Sequence, residues 1–179
     1  MIDPDVRAAL VESQRLGFLG ERPIDEVVEH ARAFGSAVAD VSGCVADLGS
    51  GGGVPGLVLA HDRPDLAMLL VDRRAKRTDF LARVVRRLGW TDRVTVVCAD
   101  VADVISSGEF VVDAAVARGF GPPMVTLTLG ARLVRSGGKI VISEPPSGDR
   151  WVSEMYAELG VRRTDVTGGQ VSIFERSAV

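Results

Sequence analysis

The sequence predicts an α/β fold in which a mostly parallel sheet is covered by helices on both faces, and three observations lead there. Short, near-continuous apolar runs alternate with amphipathic helical stretches from residue 44 to residue 143, the pattern of strands buried on both faces. The first run, Cys44-Val45-Ala46, ends in an acid and breaks into a glycine-rich turn, Asp47-Leu48-Gly49-Ser50-Gly51-Gly52-Gly53-Val54-Pro55-Gly56. The chain then finishes on two strand-like runs across Gly168-Gly169, which read as an antiparallel hairpin.

The elements follow in order. Asp3-Pro4 has the pattern of a helix N-cap followed by proline at the first helical position, and this helix runs to about Leu16 before Gly17 and Gly20. A second helix begins at Pro23, with Ile24, Val27, Val28, Ala31 and Phe34 on one apolar face. Residues 1–43 thus form a helical preface to a sheet domain over 44–179, the whole being one domain of a size that builds its own core. Strands are expected at 44–48, 67–72, 93–98, 111–116 and 139–143, with helices near 54–61, 75–88, 101–106 and 121–134. In the 75–88 helix Phe80, Leu81, Val84, Val85 and Leu88 share a face, and Gly89 can end it. A helix at 150–159 precedes the hairpin strands at 161–167 and 170–175.

Composition narrows the class. Hydrophobic residues at 46% and charged residues at 25% are ordinary for a soluble globular chain. No apolar stretch approaches the ~20 residues of a membrane span. Met1-Ile2-Asp3-Pro4-Asp5 lacks the basic-then-apolar pattern of a signal peptide, so a cytoplasmic location is expected. Cys44 and Cys98 lie in apolar runs and read as buried thiols of a reducing compartment. Two Cys and two His without zinc-ligand spacing give no metal site. The net charge of −3 disfavours nucleic-acid binding by bulk electrostatics but leaves room for a local basic patch.

Gly51, Gly53 and Gly56 fit G-x-G-x-x-G, a loop that lets backbone approach a nucleotide closely. Asp47, two residues before Gly49, would repel a pyrophosphate, whereas a ligand carrying an ammonium group tolerates it. S-adenosylmethionine has that ammonium and a sulfonium cation as well. In open α/β sheets ligands bind beyond the carboxyl ends of the strands, and each strand end here is informative. The second ends in Asp72, 19 residues after Gly53, where an acid can bind both ribose hydroxyls. The third runs into Asp100, which can accept from an adenine amino group, with Val101 beside it. Each acid also has a plain structural alternative: Asp47 as a brace for the loop, Asp72 and Asp100 as helix caps.

The segment 45–56 resembles the glycine loop of the bacterial 16S rRNA guanine-N7 methyltransferases, the glucose-inhibited division protein B family. Leu70-Val71-Asp72 with Lys76-Arg77 and Phe80-Leu81, Ala117-Arg118, and Leu133-Val134 with Gly137-Gly138 extend the likeness, as do Gly17-Phe18-Leu19-Gly20 and His30 upstream. The resemblance spans roughly residues 15 to 143. It implies a Rossmann-like class I methyltransferase fold, seven-stranded and mostly parallel with the C-terminal antiparallel hairpin. It further implies S-adenosylmethionine as cofactor, N7-methylation of a guanine in 16S ribosomal RNA, and the small ribosomal subunit as partner. The cofactor-binding set is Asp47, Gly49, Ser50, Gly51, Gly53, Asp72, Arg73, Asp100, Val101 and Arg118, with Arg118 also on the acceptor side. Two departures stand out. The Asn-Leu-Thr segment that the family carries before the cofactor domain is absent, and Ser143-Glu144-Pro145-Pro146 follows the fifth strand where the family has Lys-Gly. An anion in place of a cation would reverse how an RNA phosphate is received, so a paralogue methylating a small metabolite stays open.

Methyl transfer from a sulfonium is an in-line displacement, supplied mostly by geometry and electrostatics. Guanine N7 carries a lone pair and no proton, so no general base is needed, whereas an alcohol acceptor requires one. His30 and His61 are the only histidines; His61 is expected on the surface and His30 near the pocket. Phe120, Trp151 and Tyr156 are either stacking partners for a flat acceptor or core residues. Arg73, Arg74, Lys76 and Arg77 crowd a helix start, opposed to the helix dipole, and Arg83, Arg86 and Arg87 extend that surface. They receive phosphates, pair with Asp72 and Asp79, or form a solvated face. Asp47 and the hairpin disfavour a nicotinamide-dependent oxidoreductase, and a non-catalytic cofactor-binding protein is the remaining alternative.

Overall fold

The computed structural model of the chain describes residues 2–145, 150–151, 156–167 and 170–177. Two helices, α1 (Pro4–Arg15) and α2 (Ile24–Ala37), precede the alternating elements. Those are β1 (Cys44–Leu48), α3 (Gly56–Asp62), β2 (Ala67–Asp72), α4 (Ala75–Arg87), β3 (Val94–Cys98), α5 (Val101–Ser107), β4 (Val112–Ala117), α6 (Pro123–Leu133) and β5 (Val134–Ser143). The antiparallel strands β6 (Val161–Thr167) and β7 (Val171–Arg176) close the sheet. Its seven strands run in the order β3-β2-β1-β4-β5-β7-β6, with β3 through β5 parallel and β7 antiparallel to both β5 and β6. The order reverses direction between β1 and β4, the switch point beyond which ligands bind in open sheets.

Strand periodicity distributes the core. Val45, Met68, Leu70, Val94, Ala114, Val116 and Val141 pack with α2, α3 and α4 on one face, through Phe34, Leu57, Phe80, Leu81 and Val84. Ala46, Leu48, Leu69, Val71, Ala115, Ala117, Ile140 and Ile142 pack with α5 and α6 on the other, through Val104, Leu127 and Leu133. Alternation therefore continues Val45 into Asp47, and Leu70 into Asp72, on the α3/α4 side of the sheet. The preface joins α3 through its own cluster, in which Val6, Leu10, Val27, Val28 and Ala31 meet Val54 and Val58. Asp3 caps α1 by accepting from the Asp5 N–H, as its sequence position predicts.

Two expectations change. The fifth strand starts at Val134 rather than 139, because Val134 pairs with Val112 before a register shift brings Lys139 opposite Ala114. At that irregularity Gly138 sits so close to the Asp113 carbonyl that a Cβ would lie 2.9 Å from it, which only glycine tolerates. Neither cysteine is fully buried: Cys44 is half-buried, and Cys98 is exposed because β3 is the sheet edge. Residues 152–155 of the helix expected over 150–159, and the turn at Gly168-Gly169, lie outside the described residues.

Candidate cofactor and acceptor site

The glycine loop is held from three sides. From β1, the Asp47 carboxylate is 1% exposed and its Oδ2 accepts from the Gly56 N–H at 3.0 Å, tying the end of the strand to the start of α3. A Cβ on Gly56 would lie 2.5 Å from that same oxygen, so the close approach requires glycine there. Ser50 Oγ donates to the Asp47 carbonyl, and the Ser50 N–H donates to the Val71 carbonyl of β2. From β2, Asp72 Oδ2 accepts from the Gly51 N–H and Oδ1 from the Arg74 N–H, both at 2.9 Å, while Arg77 Nη1 stands 3.5 Å from Oδ2. From the preface, Ser13 Oγ donates to the Gly52 carbonyl at 2.9 Å.

A cavity of about 450 Å³ opens beyond the strand ends, walled by Gly49, Asp72, Arg73, Arg74, Arg77, Asp100, Val101 and Phe120. Asp100 is at once the N-cap of α5, accepting from the Ala102 N–H at 3.0 Å, and a cavity wall. Gly49, at φ +71°, lies under the Phe120 ring, and a Cβ on it would come within 2.6 Å of that ring. A second cavity of about 230 Å³ shares Gly119, Phe120 and Gly121 with the first and extends over Thr126, Ser143, Glu144, Pro145 and Arg150.

Burial pushes the Asp47 carboxyl up to about 7; the Gly56 N–H and the Arg118 charge oppose this, and Asp72 adds to it. Its second oxygen, Oδ1, is fully buried and has no hydrogen-bond partner. Arg118 is half-buried; burial lowers its affinity for a proton, the Asp47 charge restores part of it, and the Arg22 charge lowers it further. Burial, then Arg118, then Arg22 hold His30 below the ordinary imidazole range, which leaves the ring neutral near pH 7.

The structure gathers Gly49, Asp72, Arg73, Asp100 and Val101 around one cavity. Asp47, Ser50, Gly51 and Gly53 stand behind them as the loop and its brace. Among the described residues, neither cavity wall includes Arg118 or His30. His30 packs edge-on against Phe34, and His61, partly exposed, accepts from the Asp3 N–H and bonds Asp62. Of the aromatics, Phe120 is a cavity wall, whereas Trp151 and Tyr156 pack against Phe174 in the core. The basic run divides: Arg73, Arg74 and Arg77 face the cavity, and Arg83 and Arg87 pair with Glu12 of α1. Arg77 pairs with Asp72, one of the partners its position in the sequence offers. The Ser13 clamp was missed in the sequence; a serine on the apolar face of α1 was the one available signal. No group of acids, His and Cys among the described residues is placed to hold a metal.

Fold and site define a class I methyltransferase architecture. Solved structures share it: a cofactor-bound protein from MTB superposes with TM-score 0.72 at 18% identity, over 99% of this chain and 91% of that one. An S-adenosylmethionine-dependent methyltransferase from Geobacter sulfurreducens in complex with S-adenosylhomocysteine superposes with TM-score 0.57 at 26% identity, over 76% and 65%. The profile of the rRNA small subunit methyltransferase G family matches residues 2–149, and the chain belongs to that family. It is 35% identical to ribosomal RNA small subunit methyltransferase G of Sorangium cellulosum, over 66% of this chain and 50% of that protein. To the protein of the same name from Salinispora tropica it is 33% identical, over 84% and 66%. The chain spans about half the length of several such relatives.

Proposed function

We propose that the protein is an S-adenosylmethionine-dependent methyltransferase acting on N7 of a guanine in 16S ribosomal RNA, with the small ribosomal subunit as its substrate. One observation carries the cofactor assignment: a fully buried carboxylate oxygen, Asp47 Oδ1, has no partner behind a glycine loop at the head of a cavity. A buried acceptor left unsatisfied costs about 1–3 kcal/mol, and a ligand ammonium would relieve it. Asp72 keeps lone pairs for the ribose hydroxyls beyond those taken by the Gly51 and Arg74 N–H groups. Asp100 and Val101 take the adenine. S-adenosylmethionine supplies an electrophilic methyl group on a sulfonium.

The acceptor side fits a nucleophile that has no proton to lose. No histidine walls the smaller cavity among the described residues, and Glu144, its carboxylate, is engaged by Arg150 and Trp151. The exposed Arg73 and Arg74 edge the cofactor cavity with the exposed Lys76 beside them in sequence, and phosphates of a polyanion can be received there. Family membership and relatives named as ribosomal RNA methyltransferases support the RNA substrate. The buried carboxylate of Glu144 favours a second reading, a small cationic metabolite as acceptor. Calorimetry with S-adenosylhomocysteine and with NAD tests the cofactor, with binding of the first alone expected. Transfer of labelled methyl to 30S subunits but not to metabolite extract is the expected result for the acceptor; the reverse overturns the RNA reading.

A further inference from the structure

We propose that the smaller cavity holds the methyl-accepting guanine and that Glu144 reads its Watson–Crick edge, an inference that rests on the guanine-N7 reading above. Glu144 stands at the end of β5, with its N–H donated to the Gln170 carbonyl at 2.8 Å. Its side chain is 3% exposed. One oxygen, Oε1, accepts from the Trp151 indole N–H at 2.5 Å. The other, Oε2, has no hydrogen bond, although Arg150 Nε lies 3.4 Å away. Arg150 is itself fixed, donating from Nη2 to the Ser143 carbonyl at 2.8 Å. The carboxylate is thus clamped at one oxygen and charge-balanced, and its second, buried oxygen keeps acceptor capacity in a residue that lines the cavity.

Guanine matches that acceptor. Among the four bases it alone presents two adjacent donors, N1–H and the 2-amino group, on its Watson–Crick edge. Enzymes acting on a base commonly take it out of its stack and read this edge while an aromatic ring covers a face; here Phe120 is the ring on the wall. Glu144 at that edge leaves N7, on the opposite side of the purine, directed away from Glu144. The two cavities meet at Gly119, Phe120 and Gly121, which places the reacting atom on the cofactor side.

The carboxylate also aids the transfer itself. The N7 lone pair forms the new N–CH₃ bond as the C–S bond breaks, and the electron pair of that bond stays on sulfur. The positive charge passes from sulfonium to purine, which makes N1–H and the 2-amino group stronger donors. Glu144 therefore binds the transition state more tightly than the ground state, and its loss falls on kcat rather than KM.

The test uses 30S subunits reconstituted with 16S rRNA carrying guanine or inosine at the methylated position; inosine keeps N7 and N1–H but lacks the 2-amino group. Wild type is expected to lose about tenfold or more in kcat on inosine, since a site built to bond a donor rejects the analogue without it. Glu144→Gln, whose amide opposes two donors, is expected to lose about tenfold or more in kcat on guanine with KM within about twofold, and to discriminate inosine less than wild type does. S-adenosylhomocysteine affinity within twofold of wild type shows that the variant is folded. Where it does not fold, the wild-type guanine-to-inosine ratio decides alone. Active wild type with equal rates on the two bases overturns the proposal, as does a variant that keeps the wild-type kcat and ratio, which makes Glu144 a structural latch only. Wild type that transfers no methyl to guanine overturns the underlying reading, a result distinct from both.

Discussion

With Asp47 proposed to receive the ligand ammonium, its buried carboxyl is expected to make cofactor affinity depend on pH in a calculable way. Its proton affinity is raised from 3.8 to about 7 by burial, so in the free protein it is about 90% ionised at pH 8 and about 9% at pH 6. A ligand ammonium needs the ionised form. Binding therefore releases a proton below pH 7, and affinity for S-adenosylhomocysteine should fall about tenfold from pH 8 to pH 6, the ligand amine staying charged throughout. Calorimetry in two buffers of different ionisation enthalpy reads both quantities, with close to one proton released at pH 6. Asp47→Asn keeps an acceptor for the Gly56 N–H while removing the charge, so it is a cleaner probe than Asp47→Ala. The variant should bind weakly and without pH dependence. In the free protein, Asp47 contributes stability that is full below pH 4 and lost as pH rises to about 7, on the order of 4 kcal/mol at most. Asp47→Asn should then raise the melting temperature at pH 8 and leave it unchanged at pH 4. Flat wild-type affinity between pH 6 and pH 8, with no proton released, would refute the assignment of Asp47 to the ammonium.

Asp72→Ala should weaken S-adenosylhomocysteine at least about tenfold by calorimetry, because it removes charge-assisted hydrogen bonds worth roughly 1.5–3 kcal/mol; an effect within twofold would leave Asp72 as a brace for Gly51 alone. Neutralising Arg73, Arg74 and Lys76 together, with Arg77 kept on Asp72, should weaken RNA binding and lower its salt slope by roughly 0.7–0.9 for each phosphate no longer neutralised. An unchanged slope makes this run a solvated face. Phe80→Ala, in the core beneath α4, should cost about 3–5 kcal/mol in urea unfolding.

Much of this molecule is legible from local pattern. The parallel strands announce themselves by apolar runs, and the site by acids that fall at three successive strand ends, because strand direction in an open sheet sends those ends to one side. What stays hidden depends on partners distant in sequence. Ser13 and Gly52 are 39 residues apart, and only the packing of α1 on the loop joins them. Asp72 reads as a helix cap or a ribose ligand, yet one of its oxygens accepts from Gly51 of the loop, 21 residues away. The β5 start is obscured because Gly137-Gly138 looks like a turn, when it is an irregularity inside a strand. Cys98 looks buried because its run is apolar, and strand order alone reveals the edge. Glu144 reads as a departure from the family pattern; its pairing with Arg150 and Trp151 gives that departure its chemistry.

The central claim is methyl transfer to guanine N7 in 16S ribosomal RNA. Its most direct test is to incubate the protein with labelled S-adenosylmethionine and unmethylated 30S subunits, digest the RNA to nucleosides, and identify the labelled product by mass spectrometry. 7-Methylguanosine as the labelled nucleoside, formed stoichiometrically and abolished by Asp72→Ala, is the predicted result. Label in any other nucleoside, or in a small molecule while the RNA stays unlabelled, would contradict it.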